Sequence, residues 1–291
     1  MSVAGLATRV ALPLAAAVAV AAGSPAGARA FPVRVPDALS GEIVIPAAPR
    51  RIVSLAPSVT EILFALGLDR EVVGLSDADD YPPDKVHGRT RVGGVIINLE
   101  RVIALRPDLI VGMPALQRDH LLRLRALQQP VLAVDAESIA GTLQQIRLLG
   151  LATGRLPQAE ALAREIGRRL GAVPPATPWR VYVEVWHEPV LVAAGGTLVD
   201  DVVGRAGGRN IFADRQGYVS VALETVLVRN PQVILLLYQG PEQARARAGW
   251  RDTDAARAGR VYEVPPALVT RPGPRIAEGL ALVARLLRDR R

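Results

Sequence analysis

The sequence predicts an α/β protein of two lobes, each a mostly parallel sheet flanked by helices. Three observations carry that expectation. Short apolar runs alternate with helical segments over short connections, the pattern of parallel strands covered by helices. One stretch occurs twice, as LERVIALRPDLIV at residues 99–111 and as LETVLVRNPQVIL at residues 223–235. In it Leu99 matches Leu223, Glu100 matches Glu224, Val102 matches Val226, Pro107 matches Pro231 and Ile110 matches Ile234. Finally, the stiff segment AVPPATP at residues 172–178 divides the chain after a long helical stretch. Each copy of the repeat predicts a short helix, a proline stop and a strand buried on both faces. Two copies imply two similar lobes.

The elements follow in order. Arg9, the apolar residues 10–22 and the small-x-small run Ala28-Arg29-Ala30 form a secretory signal peptide, too short to span a bilayer. Cleavage near Ala30 leaves a mature chain beginning at Phe31. No later stretch reaches about 18 apolar residues without charge, so a soluble, exported protein is expected. Residues 31–137 form the N-terminal lobe. Its lead-in, 31–50, is punctuated by Pro32, Pro36, Pro46 and Pro49 and is expected to be irregular. A strand at 51–55 follows. Ser58-Val59-Thr60-Glu61 has the form of a capping box ahead of a helix at 59–66, which Gly67 stops. Next come a strand at 72–74, the polar loop DADDYPP at 77–83, the first repeat, a helix near 118–127 and a strand at 131–134.

Residues 138–178 are predicted to be a connecting segment, helical at 138–154 and 157–170, with Pro157 in a first turn where proline is tolerated. The C-terminal lobe, 179–291, repeats the pattern. It opens with the alternating strand 180–186 and a small-residue loop at 193–196. A helix at 198–206 and a loop at 212–220 lead to the second repeat. A helix near 242–250, a strand at 260–264 and an amphipathic helix at 274–288 complete it.

Composition narrows the function. Half of the 291 residues are hydrophobic, enough for a sizeable core. The formal charge of +7 is carried almost wholly by Arg, Lys85 being the single lysine, and removal of Arg9 and Arg29 lowers it by two. No basic cluster with interleaved aromatics occurs, which argues against nucleic acid as a partner. The absence of Cys excludes disulfides, thiolate zinc sites and a lipidated Cys within this chain. No G-x-S-x-G elbow, H-E-x-x-H, Walker loop or G-x-G-x-x-G is present, so nothing nominates an enzyme. His87, His120 and His187 are scattered. His187 and Glu188 are adjacent on a strand and would point to opposite faces, a poor chelate, so no metal site is expected. Ser58 is read as a cap rather than a nucleophile.

Aromatic residues are few, three Trp, five Tyr and three Phe. Tyr81 in the DDYPP loop, Trp186 at a strand end and Tyr218 before the second repeat lie where ligand crevices form in α/β lobes. They are candidate ligand contacts, as is Arg271 in Thr270-Arg271-Pro272 for a polar or anionic ligand group. Glu100 and Glu224 are either first-turn residues favoured by the helix dipole or a matched pair of acidic posts on one surface.

Taken together, RIVSLAPSVTEILFALGL, DDYPP and NLERVIALRPDLIV resemble the metal-chelate-type periplasmic binding proteins of ABC importers, which serve iron-siderophore, haem and cobalamin uptake. The resemblance extends from about Arg51 to the C-terminal helix, and DYPP with N-L-E-R is most similar to the cobalamin binders. It implies two lobes joined by a rigid interlobe helix, with a corrinoid bound in the cleft. It further implies delivery to an inner-membrane permease that Glu100 and Glu224 would dock, by a monomer needing no cofactor. Tyr81 then matches an aromatic cleft contact, Tyr218 falls where a tryptophan would sit, and Val95 and Met113 fall near tryptophan positions. Haem, which a tyrosinate such as Tyr81 could ligate, and an iron-siderophore are the alternative ligands. A secreted α/β enzyme and a structural partner of an envelope complex are the alternative classes.

Overall fold

The structure, a computed structural model, describes residues 31–176, 178–238, 247 and 249–289. The predicted signal peptide and most of the helix expected near 242–250 lie outside the described residues.

The doubled stretch folds the same way twice. Helix α3 (Leu99–Ala104) leads to strand β5 (Leu109–Gly112), and helix α8 (Leu223–Arg229) leads to β11 (Val233–Leu236). Between helix and strand, Arg106 and Asn230 occupy the same place in the two copies. Both are left-handed, with φ of 44° and 42°, and Pro107 and Pro231 follow directly. A left-handed residue turns the chain out of the helix, and the proline keeps it from resuming.

The sheets show the same correspondence. In the N-terminal lobe, β3 (Ile52–Ser54), β4 (Val72–Leu75), β5 and β6 (Val131–Ala133) form a parallel sheet in the order β4-β3-β5-β6. In the C-terminal lobe, β7 (Arg180–His187), β9 (Arg209–Asn210), β11 and β12 (Val261–Glu263) pair in parallel in the order β9-β7-β11-β12. That lobe adds two antiparallel strands, β8 (Val190–Ala193) and β10 (Tyr218–Ser220), beside the second half of β7. The expected loops at 193–196 and 212–220 are therefore shorter than the sequence indicates.

Pleating divides the core. On β3 and β5, Ile52, Leu109 and Val111 point to a central cluster, while Val53 and Ile110 point to an outer one. On β7 and β11, Val181, Val183, Val233 and Leu235 join the same central cluster, while Tyr182, Ile234 and Leu236 join a third. The central cluster thus takes one face of each sheet. Between them lie α5 (Ile139–Ala152), α6 (Leu156–Gly171) and the C-terminal helix Ile276–Arg288. The connecting segment is a pair of packed helices, brought so close that a Cβ on Gly150 would lie 2.2 Å from that of Ala159.

Two expectations fail. The lead-in forms a hairpin, β1 (Val33–Asp37) with β2 (Gly41–Ile45). Val33, Val35 and Asp37 alternate inward, and Pro36 points outward on an edge strand, where its missing N–H costs nothing. Asp37 closes the turn by accepting from the Leu39 and Ser40 amides at 3.0 and 2.7 Å, and it anchors the hairpin through Arg125 at 2.5 Å. The capping box is also absent. Helix α1 (Pro57–Ala65) starts on Pro57 after Ala56 with no side-chain cap, and the Ser58 hydroxyl donates to Met113 Sδ at 3.3 Å. Proline at the first position needs no cap for its own nitrogen, which leaves Glu61 free for another use.

Candidate functional site

Parallel strands end on a common edge, and loops at that edge build crevices. In the N-terminal lobe the edge carries the start of α1, residues 76–81 after β4, and Met113 after β5. The matching edge of the C-terminal lobe carries Trp186 and His187 at the end of β7, Tyr238 after β11 and the loop 270–275, and this loop reaches the N-terminal lobe.

The two lobes meet here through charge. Glu61, its side chain 3% exposed, receives two hydrogen bonds from Arg275, at 2.9 and 2.6 Å, and one from Arg271 at 3.2 Å. Arg271 also grips Asp80 with two nitrogens, at 2.5 and 3.1 Å. The guanidinium of Arg275 lies 4.1 Å from the Tyr81 ring centroid, a cation–π contact that covers one face of the phenol. Gln145 on α5 adds a bond to the Pro272 carbonyl at 3.2 Å, and Asp201 of α7 (Leu198–Arg205) accepts from the Ile139 amide at 2.7 Å. Arg271 holds the Asp80 carboxyl below its ordinary range. Its neighbour Asp79 differs. It is 4% exposed, neither oxygen has a hydrogen-bond partner among the described residues, and burial pushes its pKa up to about 6.

Across the edge, a second buried carboxylate organises the C-terminal lobe. Glu184, fully buried on β7, accepts from Tyr182 at 2.6 Å, from Tyr238, and from two nitrogens of Arg247 at 2.7 Å each. Burial and that carboxylate push both phenols up. On this base stands an aromatic row. The Tyr238 ring is 5.3 Å from His187, and His187 is 4.9 Å from Trp186. Trp186 is 50% exposed.

Tyr81 and Arg271 are thus brought into one cluster, linked through Asp80 and Arg275. Trp186 belongs to the separate aromatic row. Tyr218, 48% exposed on β10, sits toward the start of α5, where burial and the nearby Glu137 carboxylate push its phenol up. No contact among the described residues joins Trp186 or Tyr218 to Tyr81. Glu100 and Glu224 occupy the second position of their helices, both exposed and both without an ion pair among the described residues. Sequence reasoning missed Glu61, Asp79, Asp80 and Arg275. The doubled Asp beside Tyr81 was a signal, but Glu61 was concealed by its resemblance to a cap. No group of acidic and histidine side chains that could hold a metal ion occurs among the described residues.

Residues 52–268 match the family described as periplasmic binding protein. An uncharacterised ABC transporter substrate-binding lipoprotein of Bacillus subtilis is 32% identical over 94% of each chain. A vitamin B12-binding protein of Pectobacterium atrosepticum is 31% identical over 70% of this chain and 77% of its own. Among solved structures, the apo form of a periplasmic haem-binding protein from Roseiflexus superposes with a TM-score of 0.75 at 28% identity, covering 82% of this chain and 98% of that one.

Proposed function

The chain belongs to the periplasmic binding protein family, and from that premise we propose that it captures a corrinoid between its lobes and hands it to an inner-membrane ABC permease. It is a substrate-binding protein of the B12, haem and siderophore type, working in the periplasm or outside the cell. The chelate is cargo rather than a resident cofactor. No helix among the described residues is long and apolar enough to cross a membrane.

Tyr81 carries the ligand reading. It is 41% exposed at the strand-end edge, with one ring face braced by Arg275. A large, partly apolar ligand suits such a braced aromatic, with Trp186 and Tyr218 as further platforms and Arg271 beside a polar group. The B12-binding relative supports a corrinoid. The same phenol favours a second reading, haem, because a tyrosinate ligates iron, and the Roseiflexus likeness supports that one.

In this reading residues 31–137 and 179–291 are the two lobes, 138–178 joins them, cleavage falls near Ala30, and the mature protein acts as a monomer. Glu100 and Glu224 dock the permease. Two carboxylates at a fixed separation, neither in an ion pair among the described residues, engage two basic pockets together and gain avidity.

Titration of the mature protein separates the ligands. Cyanocobalamin is expected to give calorimetric heat and a visible-band shift, both weakened in Tyr81→Ala. Silence with cobalamin and a Soret shift with haem that disappears in Tyr81→Phe would replace the corrinoid with haem.

A further inference from the structure

A further concave surface lies on the C-terminal lobe, at the strand-start edge of its sheet. There the parallel strands begin rather than end, and arginines stand at their starts. Arg180 opens β7 and Arg209 opens β9, paired directly with each other in the sheet. Arg260 precedes β12, donates to the Gln232 carbonyl at 2.9 Å and stacks on Trp179 at 4.6 Å. A cavity of about 360 Å³ opens at this edge, lined by Arg180, Arg209 and Arg229 with Asn210 and Asp214.

Charges around the cavity do not balance. Arg229 is fully engaged by Asp214, at 2.5 and 2.8 Å, by the Ile211 carbonyl and by the Phe212 ring at 4.5 Å. Arg180 spends Nε and one terminal nitrogen on the Asn230 carbonyl, at 3.0 and 2.9 Å, and that same nitrogen meets Asp254 at 3.1 Å. Its other terminal nitrogen has no partner among the described residues, and neither does any guanidinium nitrogen of Arg209. Like charges opposite each other on neighbouring strands repel. Arg209 and Arg180 both line that concave space, and guanidinium N–H groups of this kind are complementary to the oxygens of a tetrahedral dianion.

We propose that this cavity binds a phosphate group, with Arg209 and the free nitrogen of Arg180 as its donors. The site is independent of whatever occupies the interlobe cleft. A phosphate can come from a soluble phosphate compound or from the headgroup of an anionic lipid, and the two sources are separable.

The mature protein is melted in inorganic phosphate and in sodium chloride of equal ionic strength. Phosphate is expected to raise the midpoint beyond the chloride control, saturably. Arg209→Gln, at an exposed position whose side chain has no partner among the described residues, should not lower the midpoint in chloride. It should weaken the phosphate response by about tenfold in apparent affinity, and Arg209→Lys should keep part of it. Sedimentation with phosphatidylcholine vesicles, with and without phosphatidic acid, assigns the source. Acid-dependent pelleting that Arg209→Gln abolishes makes it a headgroup. Phosphate stabilisation without pelleting makes it a soluble compound. Equal midpoints in phosphate and chloride, or a phosphate response that survives Arg209→Gln, would overturn the site.

Discussion

Replacing Asp79 with Asn should stabilise the protein at neutral pH and lose that advantage in acid. The unfolded chain ionises Asp79 near 3.8, the folded chain at about 6. That separation of roughly two units corresponds to about 3 kcal/mol, at about 1.4 kcal/mol per unit. The sign follows from which state binds the proton more tightly. Above the folded pKa the carboxylate is charged in both states, and the folded state bears the net cost of holding it dry, reduced by the nearby Arg91 and Arg271 charges. As the pH falls through about 6 toward about 4 the folded state takes up the proton first, and the cost shrinks to nothing. Asn carries no charge at any pH and shows none of this. Urea unfolding of both proteins across about pH 4 to 8 checks it, because subtracting the two stability curves cancels every other titrating group. The difference should favour Asn increasingly with rising pH, by up to about 3 kcal/mol, and level off above about pH 6.5. A constant difference across that range would refute the placement of Asp79 as a buried, unpartnered carboxylate.

Glu61→Gln removes the carboxylate that the half-buried Arg271 and Arg275 share, leaving Asp80 as an ion-pair partner for Arg271 alone, and should cost about 2 kcal/mol in urea unfolding. Asp80→Asn removes a carboxylate that is 61% exposed and should cost under about 1 kcal/mol. The double variant Glu100→Arg, Glu224→Arg should abolish uptake in cells while ligand affinity, measured by calorimetry, stays unchanged. Loss of ligand binding in that variant would return the pair to a structural role.

What could be read in the sequence was mostly what depends on local chemistry. The repeat located β5 and β11 because a strand buried on both faces must be continuously apolar, and because proline stops are visible as letters. Antiparallel β8 and β10 were less visible. Val190–Ala193 ends in small residues that resemble a loop, and its partner Tyr218–Ser220 lies far along the chain. Glu61 shows the other limit. A Glu three residues after a Ser before an apolar run has a local explanation, and nothing nearby reveals that Arg271 and Arg275 arrive from some 210 residues away to bind it. Glu61 and Arg275 were therefore hidden by long-range pairing, whereas Tyr81 stood out as a scarce residue type in a loop and Arg271 by its place in a similar loop.

The way Ile52, Leu109, Val181 and Val233 face one shared centre has a further consequence. Neither half of the chain closes its own interior. Cut between 172 and 178, α5 and α6 would stay with the first half and the helix Ile276–Arg288 with the second, and each fragment would expose the apolar side chains that these helices bury against one another. Moving the two halves apart would have to break that packing, so their relative placement is held by the same side chains that close the core.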